Sequence, residues 1–246
     1  MVKFGALALG LLSLATEVCA QRTVKIMPFG ASIVSRCWRA NLQASLRSAG
    51  ITNFDFVGSQ TSSCTGSNVD QNHEGHPGSQ ATTFAAYANL TGWLNQNPPD
   101  VVIMLIGTND VLIGQKPIVE IKSAYDILLN DMRNKNPKMQ IIFSNLPPLD
   151  PARFPARAVQ GIKDLNAEIA KYAPGKSTAQ SPVYFVDNFS GFDPVKDTDD
   201  GEHPNLSTGV QKMAAKFLEP TKTAIRAIGG VKARKVTPAR WRTLQS

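Results

Sequence analysis

Val101-Val102-Ile103-Met104-Leu105-Ile106 runs without a polar residue directly into Gly107-Thr108-Asn109-Asp110. A short continuous apolar run that ends in turn residues reads as a strand covered on both faces, the pattern of a parallel sheet between helix layers. Apolar runs at 23–28, 54–57, 139–143 and 183–186 predict four more strands. Amphipathic stretches between them predict helices over 36–49, 81–94, 117–134, 156–172 and 207–226. Gly50 ends the first helix. Pro117 opens the third, where a missing N–H costs nothing. This alternation predicts an α/β chain: a three-layer α/β/α sandwich around a central, mostly parallel five-stranded sheet. In open sheets of this kind, sites form beyond the carboxyl ends of the strands. The segment 107–110 therefore lies where chemistry is expected.

The 246-residue chain carries a formal net charge of +7. Residues 1–20 read as a secretory signal peptide, with Lys3, an apolar stretch over 4–15 and a small-residue cleavage site at Val18-Cys19-Ala20. That apolar stretch is short for a membrane span, and no longer one follows. Residues 21–228 are then one domain, large enough for a substantial core. Residues 229–246 hold Lys232, Arg234, Lys235, Arg240 and Arg242 and no acidic residue, so a solvated, disordered basic tail is expected. No basic stripe is interleaved with aromatics. Neither a nucleic-acid nor a membrane partner is expected, and a monomer is. With Cys19 in the signal peptide, Cys37 and Cys64 remain. In an oxidising compartment they can form one disulfide, with two free buried thiols as the alternative. N-glycosylation sequons start at Asn89, Asn188 and Asn205.

Four segments carry chemistry. Ser32, in Gly30-Ala31-Ser32-Ile33, follows the first strand and is a candidate nucleophile, which requires a base to take its proton. A turn or N-cap serine is the bland reading. His203 is a candidate base, and Asp200 lies three residues before it across Gly201, so a tight turn can fold the carboxylate onto the imidazole. Asp197 and Asp199 are rival acids. A tetrahedral intermediate also needs preorganised donors. The amide of Asn109 and the backbone N–H groups of Gly78 and Ser32 are the candidates. In His73-Glu74-Gly75-His76 the histidines are three apart, whereas a helical zinc site needs four, so no metal is expected there. Hydrolysis by these groups needs no cofactor. Trp38 and Trp93 read more readily as core than as sugar-stacking residues.

Taken together, these segments resemble the four blocks of the SGNH branch of the GDSL-type hydrolases. Cys37-Trp38-Arg39, Asp55-Phe56-Val57-Gly58-Ser59 and Glu74-Gly75-His76-Pro77-Gly78 are similar to members of carbohydrate esterase family three, the acetylxylan esterases. The resemblance implies a flavodoxin-like fold and deacetylation of xylan, an acetylated plant polysaccharide. It implies Ser32 as nucleophile, His203 as base, Asp200 as its partner, and Ser32, Gly78 and Asn109 as the oxyanion hole. The family block usually reads Gly-Asp-Ser, and here Ala31 stands in place of the aspartate. Three alternatives stay open: a GDSL-type lipase or lysophospholipase, a deacetylase of another polysaccharide, and an inactive carbohydrate-binding relative.

Overall fold

The computed structural model describes residues 22–229, so the signal-peptide and basic-tail readings lie outside the described residues. β1 (Val24–Gly30) runs into the one-turn helix α1 (Ser32–Ser35), and α2 (Trp38–Ser48) follows. Next come β2 (Phe54–Phe56), β3 (Gln60–Thr61) and β4 (Asn72–Gly75), then α3 (Ala81–Ala86) and α4 (Asn89–Gln96). β5 (Val101–Leu105), α5 (Thr108–Leu112), α6 (Ile118–Lys135) and β6 (Gln140–Ser144) precede α7 (Ala156–Gly175), β7 (Val183–Val186) and α8 (Gly209–Gly229).

The sheet runs β3-β4-β1-β5-β6-β7, and β2 also pairs with β1. Every pairing is parallel except β3 with β4. All five predicted strands are present, but the sheet has seven. β2 pairs with Val24–Ile26 and β4 with Phe29 and Gly30, so the two share one edge of β1. β4 escapes a hydrophobicity reading because its buried side chains, His73 and Glu74, are polar and satisfied by hydrogen bonds.

The apolar run Val101–Leu105 is β5, buried at every position. It pairs with β1 through five residue pairs and with β6 through four, which centres it in the sheet. Trp38 is fully buried, its ring 4.7 Å from Phe217 on α8 and its Nε1–H on the Ile33 carbonyl at 3.1 Å. It belongs to the core. The helix expected over 81–94 is broken in two, because Ala88 sits in the left-handed region at φ +50°. Trp93 of α4 stacks on His76 with ring centroids 4.1 Å apart.

Cys37 and Cys64 form a disulfide across 27 residues, tying the start of α2 to the loop after β3. Closing a loop of that length contributes about 3–4 kcal/mol in the chain-entropy picture. The sequons separate by environment. Asn188 is fully buried and donates to Ser144 Oγ, and the Asn205 amide donates to the Lys196 carbonyl, whereas Asn89 is exposed.

Candidate active site

Ser32 opens α1 at the carboxyl end of β1. A Cβ on Gly30 would lie 1.9 Å from the Leu105 carbonyl oxygen, so only glycine lets β1 approach β5 closely there. The turn is held from beneath by a chain of hydrogen bonds. Gly75 N–H donates to His73 Nδ1 at 2.9 Å, which leaves the ring hydrogen on Nε2. Nε2–H donates to Ser62 Oγ at 2.6 Å, and that hydroxyl donates to the Ser35 carbonyl at 2.7 Å. Ser35 Oγ in turn donates to the Ser32 carbonyl at 2.6 Å. With both ring nitrogens used, His73 has none left for a metal.

This chain requires a neutral imidazole. Burial, helped by the Arg39 charge, pushes His73 down to about 4. The unfolded chain therefore takes up the proton first. The stability that follows is fully present above about pH 6.5 and is lost as pH falls towards 4, a drop of about 3 kcal/mol. We expect the urea midpoint to fall across that window. A His73→Asn variant, less stable at neutral pH, should show a flatter profile, and equal slopes in the two proteins would remove His73 as the cause.

His203 sits in a turn closed by the bridge between Thr198 and Pro204 and by the Asp199 N–H on the His203 carbonyl at 2.9 Å. Asp200 Oδ1 accepts the Glu202 N–H at 3.0 Å and the His203 N–H at 2.8 Å. This is the local side-chain-to-backbone geometry that aspartate favours in turns. Its Oδ2 lies 2.7 Å from His203 Nδ1, and His203 Nε2 lies 2.8 Å from Ser32 Oγ. Burial pushes the Asp200 carboxyl up, but the hydrogen bonds from the His203 N–H, its ring and the Glu202 N–H outweigh it and hold the group down at about 2. Asp200 is thus an anion at neutral pH. The rival acids are engaged elsewhere: Asp197 is buried against Lys212 Nζ at 2.6 Å, and Asp199 faces Arg36 at 3.6 Å.

Asn109 lies in the first turn of α5, and its Nδ2 donates to the Ser79 carbonyl at 3.0 Å. That bond joins Asn109 to the turn holding Gly78, which lies at φ +80°. Neither the Gly78 nor the Ser32 N–H meets a protein acceptor among the described residues. The sequence reading assigned nothing to Asp110. Fully buried, it accepts the Ala81 N–H at 2.8 Å, the Thr82 N–H at 3.0 Å and the Thr82 hydroxyl at 2.8 Å. It caps α3 from another segment and locks the Asn109 turn to the Gly78 turn. No spacing rule reveals a cap supplied from 28 residues away.

Residues 29–208 match the GDSL-like lipase/acylhydrolase family. The chain belongs to this family. Structures similar to it include an acetyl esterase serine-to-alanine mutant solved with acetate ion, 34% identical, covering 84% of this chain and 100% of that one with a TM-score of 0.76. A carbohydrate esterase family 3 protein from Talaromyces cellulolyticus is 34% identical over 83% of this chain and 99% of that one, with a TM-score of 0.76. A multidomain esterase from Ruminococcus flavefaciens is 30% identical over 235 residues, 86% of this chain but 30% of that protein. The chain thus spans less than a third of that relative's length. All four candidate segments lie inside the matched span.

On this GDSL-family scaffold a cleft of about 660 Å³ opens over Ser32 and His203, rimmed by Arg36, Asp199 and Ser207. Cys37 and Leu206 form its wall and also border a second groove of about 320 Å³, which continues past Asn41 to Arg47. Among the described residues, no group of three or more His, Cys, Asp or Glu is placed to hold a metal ion, and no helix is long and apolar enough to cross a membrane.

Proposed function

We propose that this chain is a secreted serine esterase that removes acetyl groups from acetylated xylan through an acyl-enzyme. The observation that carries the reading is the unbroken Asp200–His203–Ser32 hydrogen-bonded chain opening into the cleft. In the first step Ser32 Oγ attacks the acetyl carbonyl carbon as its proton passes to His203 Nε2. Asp200 stabilises the imidazolium. The N–H groups of Ser32 and Gly78 and the Asn109 amide receive the oxyanion. The sugar oxygen leaves with the proton from His203, and the acetyl group stays on Ser32. Water then gives a proton to His203 and attacks the acyl carbon, and collapse releases acetate as His203 Nε2 passes that proton to the departing Ser32 Oγ.

The acetyl preference is supported by the acetyl esterase and family 3 carbohydrate esterase relatives. A polymeric leaving group is supported by the two grooves that share a wall, since an ester over Ser32 leaves room for further sugar units towards Arg47. Secretion is supported by the disulfide, a bond typical of oxidising compartments and rare in the cytosol. The experiment is acetate release from acetylated xylan, measured beside hydrolysis of 4-nitrophenyl acetate and 4-nitrophenyl octanoate. Release from xylan with acetate ester far ahead of octanoate is the expected result. Octanoate ahead of acetate would move the chain to the lipase reading, and xylan bound with no ester cleaved would make it a carbohydrate-binding relative.

A further inference from the structure

A much smaller recess also touches Ser32. Its volume is about 10 Å³, and its walls include Ala31, Ser32, Leu105, Thr108, Asn109 and Glu202. That is room for roughly one water molecule. Two of these walls bring polar groups. Thr108 Oγ1 is buried with no hydrogen-bond partner in the protein. The Glu202 carboxyl is half-buried and makes no hydrogen bond among the described residues, although its N–H is fixed on Asp200 Oδ1 at 3.0 Å. A buried hydroxyl without a partner is unfavourable, and a water shared with the Glu202 carboxyl relieves it. Burial also pushes the Glu202 carboxyl up. A third wall is the nearly buried Ala31, in the turn that carries the nucleophile, and it offers this recess only a methyl group.

We propose that Glu202, acting from the histidine turn, supplies the carboxyl that position 31 lacks, joined to Thr108 through one water held in the recess, and so sets the Ser32 turn against the Gly107–Asp110 turn. Glu202 is then a positioning residue. It neither takes a proton from Ser32 nor touches the acyl group. Three separate turns meet at this point: the nucleophile turn through Ala31, the oxyanion turn through Thr108 and Asn109, and the base turn through Glu202. A polar link across it fixes the distances between the groups that must act together. The inference rests on the esterase reading above.

The test compares kcat and KM for 4-nitrophenyl acetate in the parent, Glu202→Ala, Ala31→Asp and the double variant, with melting temperatures for each. Glu202→Ala should lower kcat about tenfold with KM within about twofold, because small displacements of reacting groups act on turnover before they act on binding. Ala31→Asp in that background should restore most of kcat, since it returns a carboxyl to the same recess. In the parent it should bring no gain, because the recess has no room for a second carboxyl. Parent-like kcat in Glu202→Ala would overturn the proposal, and so would a loss that Ala31→Asp does not repair. Should Glu202→Ala fail to fold, the near-isosteric Glu202→Gln, with and without Ala31→Asp, carries the same comparison. An inactive parent would instead defeat the esterase reading, whereas an active parent with parent-like Glu202 variants would defeat only this inference.

Discussion

Replacing Ser32 with alanine should cut turnover on any acetyl ester by about ten thousand- to a million-fold and leave the fold unchanged. The size follows from the unit it breaks, since residues that act together lose nearly all of their shared effect when the nucleophile goes. The alanine keeps the backbone of α1, and the support under the turn, running from His73 through Ser62 to Ser35, does not involve the Ser32 hydroxyl. Melting temperature should therefore stay within a few degrees of the parent, while residual hydrolysis reflects the donors and binding alone. Measured by acetate release under single-turnover conditions, a loss under about tenfold would mean that another group attacks the ester.

The second large effect is expected at Asn109. Its alanine variant should lose about 100- to 1,000-fold in kcat with little change in KM, the usual cost of removing one oxyanion donor. The amide also holds the Ser79 carbonyl at 3.0 Å, so part of the loss can come from a displaced Gly78 turn. A crystal structure of the variant separates the two contributions. If the turn has not moved, the whole deficit belongs to the missing donor. An unchanged kcat would take Asn109 out of the oxyanion hole.

Much of the fold was legible because the residues that decide it are apolar and local. The buried run of β5 and the other four predicted strands announce themselves, and so do Gly50 after α2 and Pro117 before α6. The strand β4 was missed for the converse reason, and β3 because two residues show no period. His73 and Glu74 are buried by virtue of hydrogen bonds to Ser62, Ser59 and His76, and hydrophobic periodicity is blind to that. The break between α3 and α4 falls on Ala88, a residue with high helix propensity, so tertiary packing overrides the local signal. Within the site, the candidates Ser32, Asp200 and His203 stood out because their residue types and order suggest a function on their own. Asp110, Glu202 and His73 did not, because each acts through partners brought near only by the sheet.

The placement of the four segments has a consequence for how such a protein can change over generations. Each sits in a short turn beyond a strand end or before a helix, while the buried run of β5 and the Trp38–Phe217 contact lie within the packed layers. Mutational drift in a turn therefore meets its answer in a neighbouring turn, without asking the hydrophobic layers to rearrange. Such a chain can trade one acyl substrate or leaving group for another by small steps while its hydrophobic layers are left untouched.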